Sequence, residues 1–165
     1  MNFSQTNLLT FLWHQIKLQE WVGIRKWKLV YRATRDGFAT SDFHRQCDGK
    51  GENLGVIRSQ AGSYLFGWWT PLSWNSQGRY VADASARTFI WTLTNPAGLP
   101  AKYNIKPSLT QNAIFGNPSY GPILGYGHDI VVYDKSNTND DSHTNFPHTF
   151  EDTTGRGSNT FTGSK

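Results

Sequence analysis

The chain has 165 residues, of which 37% are hydrophobic, 17% charged and 15% aromatic, and so heavy an aromatic load excludes a disordered chain. No run approaches the roughly 18 apolar residues that a membrane span needs, the first nine residues lack the layout of a secretory signal, and the single cysteine, Cys47, excludes an internal disulfide. Net charge is +4, with basic side chains crowded into residues 1–58 and acidic ones into 128–154; no basic run exceeds two residues, which disfavours nucleic acid as a partner.

Residues 6–22 have helical spacing. Leu8, Leu12 and Ile16 recur every four residues with Leu9 and Trp13 alongside, Thr6 is placed to cap the helix, and Gly23 to stop it. At Trp27 the period changes to two. Trp27, Leu29, Tyr31 and Ala33 alternate with Lys28, Val30 and Arg32, which predicts a half-buried strand followed by a turn at Thr34-Arg35-Asp36-Gly37. Thr40 or Ser41 then caps a short helix carrying Phe43, His44 and Cys47, which Asp48-Gly49-Lys50-Gly51 ends.

Two strands, 54–58 and 63–69, flank a hairpin-length connection that contains Gly62. Residues 70–82 read as irregular and 83–87 as one helical turn. Arg87–Thr94 alternates cleanly, with Phe89, Trp91 and Leu93 on one side, and Asn95-Pro96-Ala97-Gly98 is a turn by its chemistry. Weaker strands follow at 103–106 and 113–116. A glycine- and proline-rich loop, 118–127, leads to a strong strand at 129–133, and the polar run 136–142 has nothing to bury. About seven strands, one N-terminal helix and one or two short helices make a single α+β domain over 1–165. Two packed antiparallel sheets would hide the alternating aromatic faces.

Candidate chemistry is sparse. Asp140-Asp141 and Glu151-Asp152 sit in polar segments, without the burial that raises a carboxylate for acid catalysis. His44 and Cys47 share a helix face at i and i+3, the layout of an imidazole-activated thiolate; against this, Phe43 and Cys47 form an apolar i, i+4 pair that suits the core. His44, Cys47, His128, Asp129, His143 and His148 match no zinc spacing, and 137–141 lacks the glycine and closing glutamate of a calcium loop. Gly121 to Gly127 has no following Lys-Ser/Thr pair or helix to cradle phosphate. No metal or cofactor is expected. Asp36 reads as a residue that caps its turn or pairs with Arg35 or Arg58. Asp129 reads as an acceptor for loop amides and His128 as a donor to a carbonyl or carboxylate.

An ordered set of segments is more specific. Trp27 to Phe38, Phe43-His44 with Cys47-Asp48 and Lys50-Gly51, Ile57-Arg58, Phe66-Gly67, Trp74, Phe89-Ile90, Leu93 and Asn95-Pro96 resemble, in order, the motifs of the TLDc domain. Asn117-Pro118-Ser119-Tyr120-Gly121-Pro122, Gly125, Gly127-His128-Asp129-Ile130 and Phe161-Thr162-Gly163 resemble its late motifs. Leu124 stands where the family usually has an aromatic residue, and Trp68-Trp69 is bulkier than the usual pair.

The resemblance implies a β-sandwich and an intracellular eukaryotic protein linked to oxidative-stress resistance, cytoplasmic first, with nucleus and mitochondrion open. It implies a protein complex as partner, the vacuolar proton-pumping ATPase among the candidates. Arg35, Asp36, Gly37, Tyr120, Gly121, His128 and Asp129 are its motif or binding residues here, and no residue is assigned a catalytic role. The resemblance also implies a closing C-terminal strand of alternating apolar residues and glutamates, the family's main candidates for chemistry. That strand is missing as the chain stops at Lys165, so the domain is expected to be truncated. The leading expectation is a non-catalytic interaction module. The alternatives are an enzyme in which His44, Cys47, His128 and Asp129 converge, and a weak nucleic-acid binder.

Overall fold

A computed structural model describes residues 6–163; residues 1–5 and 164–165 of the expected domain lie outside the described residues. Four strands, β1 (Asn53–Arg58), β2 (Leu65–Thr70), β4 (Phe89–Thr92) and β5 (Ala101–Asn104), form one antiparallel sheet in that order. The second sheet runs β3 (Arg79–Val81), β6 (Ile114–Gly116), β7 (Ile123–Leu124) and β8 (Ile130–Val131), again antiparallel.

The β1–β2 hairpin sets the register of the first sheet, from Asn53 opposite Thr70 to Arg58 opposite Leu65. Gly55 faces Trp68 across that pair. A Cβ on Gly55 would overlap the Trp68 ring, so the glycine makes room for the indole. Strand β4 is buried along its whole length. Its alternation sends Ile90 into one apolar cluster and Phe89 and Trp91, followed by Leu93, into another.

The first cluster joins the sheets. Trp68, Ile90 and Tyr103 from one meet Ile114, Leu124 and Ile130 from the other, with Phe43, Phe146, Phe150 and Phe161 filling in from helix and loops. The second cluster backs the first sheet, where Leu9, Leu18 and Val22 pack with Leu65, Trp69, Phe89 and Trp91. Full burial of each such side chain is worth about 1.5–3 kcal/mol. The expected α+β architecture of two antiparallel sheets is present, with a helix as a further layer.

That helix differs from expectation. α1 spans Leu12–Val22 with Phe11 at its N-cap, and Thr6 instead accepts a hydrogen bond from the Leu8 amide at 3.2 Å in the preceding turn. Its buried face is His14, Leu18 and Val22, while Leu12 is 71% and Ile16 48% exposed. The Leu8–Leu12–Ile16 stripe presumes a helix running from residue 6. With 6–11 non-helical, Leu9 reaches the core on its own and the helix turns its other apolar face inward. Gly23 does end it, its amide bonding Gln19 O at 2.9 Å.

Among the described residues, 24–32 belong to no strand; the chain runs into a one-turn helix, α2 (Ala33–Asp36). Lys28 is exposed while Trp27 and Leu29 are half-buried. Val30 and Arg32, on the face predicted to be exposed, are half-buried as well, so the alternation in sequence corresponds neither to one-sided burial nor to a ladder. α3 (Thr40–Cys47) starts at Thr40 itself with Ala39 at the N-cap. The predicted helical turn at 83–87 is a tight loop around Asp83, whose carboxylate accepts bonds from the Ser85, Arg87 and Thr88 amides at 2.6–3.0 Å. Strands β3 and β7 lie where irregular chain was expected, and β8 is shorter than 129–133.

Candidate functional site

The late motif is built around Asp129, which is fully buried at the start of β8. Its Oδ1 accepts the His148 amide at 2.7 Å, and both oxygens accept the Thr149 amide at 2.9–3.0 Å. The Phe150 amide lies at 3.4 Å. Burial pushes the Asp129 carboxyl above its ordinary value, and the amide bonds oppose that shift. Gly125 has φ +80, and a Cβ there would overlap the Asp129 carboxylate, so the glycine-rich loop is what lets the carboxylate reach its amides. The expectation that Asp129 binds loop amides agrees with this geometry, although the amides come from the 143–150 segment.

His128 is left-handed at φ 64. Its amide bonds Gly125 O at 3.2 Å and its carbonyl accepts the Asn145 amide at 3.1 Å. The ring lies 6.5 Å from that of Tyr120 and makes no hydrogen bond among the described residues, contrary to the expected donor role. Burial and the neighbouring His143 lower its pKa. Tyr120 packs its ring on Tyr133 at 5.1 Å, and the Gly121 amide donates to Val132 O at 2.9 Å.

His44 fastens α3 to this loop. Its Nε2 donates to Asn117 O at 3.0 Å and Tyr120 O at 2.9 Å, and its Nδ1 lies 2.8 Å from Asp48 Oδ1. The same helix is tied at its first residue, where Asp134 Oδ1 accepts the Thr40 amide at 2.8 Å. Cys47 packs against the inter-sheet core. Burial first, then the charges of Asp48 and Asp36, push its thiol up to about 12, so it is protonated near neutral pH.

The early motif is a bracket. Arg35 grips Asp36 with Nε on Oδ1 at 2.7 Å and Nη2 on Oδ2 at 2.8 Å, and Oδ2 also accepts the Arg32 amide at 2.8 Å. The Arg35 hydrogen bond, then the Arg32 amide, hold the Asp36 carboxyl down to about 2. Gly37 follows at φ 109, and a Cβ there would overlap the Asp42 carboxylate. Tyr31 donates its hydroxyl to Gly37 O at 2.8 Å.

His44 thus ties α3 to the Asn117–Tyr120 loop, whereas the Asp36 bracket closes on Arg32 and Arg35 and Asp129 closes on residues 148–150. The proposed enzymatic set shares no such tie. Among the described residues, no hydrogen bond or ion pair joins His44 or Cys47 to His128 or Asp129, and no three His, Cys, Asp or Glu side chains gather as a metal ion would need. Sequence reasoning missed Asn53, whose Oδ1 accepts both the Trp68 and Trp74 indole N–H groups at 2.8 and 3.0 Å. Nothing in its local pattern signals that role. Asp83 had a signal, an acidic residue two before Ser85 at the entry to a turn.

Two antiparallel sheets sharing an aromatic core, backed by a helix and laced by polar motif residues, define an α+β domain whose sequence motifs fasten loops. Residues 2–164 match the family model of the TLDc domain, and the chain belongs to that family. A search of curated proteins finds no match to the chain. No helix among the described residues is long and apolar enough to cross a membrane.

Proposed function

We propose that this chain is a non-catalytic, intracellular protein-interaction module of TLDc type. Its cellular role is in resistance to oxidative stress, and its partner is a large complex, with the vacuolar proton-pumping ATPase as the first candidate. The observation that carries the reading is how the polar motif residues are engaged. Asp129 is saturated by backbone amides, His44 is bound at both ring nitrogens, and the Cys47 thiol is held protonated. Groups engaged in this way hold loops in place, the work expected of a scaffold that presents a binding surface.

Affinity capture of the intact chain from lysate, followed by mass spectrometry, tests the reading. Recovery of a defined complex, with vacuolar ATPase subunits first, is expected. Turnover of esters, peroxides or phosphates that is lost in Cys47→Ser or His128→Gln would overturn it in favour of the enzyme.

A further inference from the structure

Helix α1 covers only part of the outer face of the first sheet. Beside its C-terminal end the rings of Trp69 and Phe89 stack at 5.6 Å between centroids and floor a groove of about 570 Å³. Three cations from three separate stretches of chain border it. The guanidinium of Arg25 lies 5.9 Å and that of Arg87 5.6 Å from the centre of a Trp69 ring, and the Lys102 ammonium lies 4.3 Å from the centre of Phe89.

Arg25 also pairs with Glu52 at 3.1 Å. Among the described residues neither Arg87 nor Lys102 meets a carboxylate, although Glu151 stands on the lining. Lys102 is half-buried on β5, and burial lowers its pKa. An ammonium stripped of water and lacking a counter-charge gains most from an incoming anion.

We propose that this groove docks an acidic peptide segment of a partner protein, whose carboxylates pair with Arg87 and Lys102 and extend toward Arg25. The inference rests on the interaction-module reading. Two guanidinium groups lie over Trp69 and an ammonium over the stacked Phe89, which gives more than one carboxylate of an acidic segment a partner. The Trp69 and Phe89 rings are buried beneath the cations, so the groove presents mainly the cations' positive charge at its floor; the vesicle arm of the test addresses lipid. Arginine adds a planar fork matched to carboxylates.

The test is a titration of the isotope-labelled chain with a capped hexaglutamate peptide, followed by amide chemical shifts. Hexaglutamine, inorganic phosphate and phosphatidylserine vesicles are the comparison arms. Shifts confined to residues 86–89 and 101–104, weakening with added salt, are expected with hexaglutamate alone. Joint substitution Arg87→Gln and Lys102→Gln weakens binding about tenfold or more. Lys50→Gln with Arg79→Gln, an equal loss of exposed charge elsewhere, changes it by less than about twofold.

Shifts elsewhere, no binding, equal response to hexaglutamine, phosphate or vesicles, or self-association through these cations would each overturn the proposal. The wild-type shift map needs no variant, so it decides even where the double substitution lowers stability. Lysate capture separates the two readings. A complex retained equally by wild type and the Arg87/Lys102 variant sinks the groove and leaves the module, whereas a wild type that captures nothing sinks the module itself.

Discussion

Asp129 shows how one carboxylate can organise a segment about twenty residues further along the chain. The amides of His148, Thr149 and Phe150 all lie within 3.4 Å of Oδ1, and the Thr149 amide also faces Oδ2, so an NH₂ group at Oδ2 would confront the Thr149 donor and one at Oδ1 all three. Asp129→Asn is expected to destabilise the fold by about 1–3 kcal/mol for each donor left unpaired, read as a lower urea midpoint. Asp36 gives a residue-scale prediction with a sign. Its folded-state carboxyl sits near 2, below the unfolded value of about 3.9. Its contribution is therefore complete above the unfolded value and is lost as pH falls through about 2. The acid limb of a pH–stability curve is expected to flatten in Asp36→Asn, and an unchanged limb would show that the Arg35 grip contributes nothing. The sequence placed both residues in structural roles because a carboxylate beside glycine and turn residues invites backbone donors. It could not show which amides Asp129 would meet, since they are supplied by distant chain.

At the scale of the element, α1 is the instructive case. Its two apolar faces, Leu12 with Ile16 and Leu18 with Val22, have equivalent spacing, so periodicity alone cannot choose between them. The choice falls on the face that fits the outer surface of the first sheet. Leu18→Ala is expected to cost about 2–5 kcal/mol, while Ile16→Lys stays within about 0.5 kcal/mol; thermal melts of the pair decide which face is buried. His14 shares the buried face, with both ring nitrogens unpartnered among the described residues. Burial lowers its pKa, so the unfolded chain takes up a proton first. The stability it permits is full above about 6.5, the unfolded value, and declines as pH falls from there. His14→Phe is expected to remove that decline, measured by urea denaturation between neutral and mildly acidic pH. Strand β4 was legible for the opposite reason. Arg87–Thr94 alternates over eight residues with Phe89, Trp91 and Leu93 on one side, long enough for a period of two to show. β3 and β7, at three and two residues, are too short to carry a period.

Across the whole molecule, the family's motifs connect distant stretches of chain more than they mark a pocket. α3 is held to the C-terminal half at two points, Thr40 N–H on Asp134 and His44 on the carbonyls of Asn117 and Tyr120. Phe43 anchors the same helix in the core between the sheets. Two polar ties on one short rigid helix are not independent. Breaking one lets the helix shift and weakens the other. A double-mutant cycle of His44→Ala and Asp134→Ala is therefore expected to show a coupling above the roughly 0.3–0.5 kcal/mol within which distant sites add, with each single substitution costing about 1–3 kcal/mol. Strict additivity in chemical denaturation would mean that Phe43 alone docks the helix and that the polar ties are local. A coupled result, with one unfolding transition retained, would mean that the two ties hold α3 to the C-terminal half as a single unit.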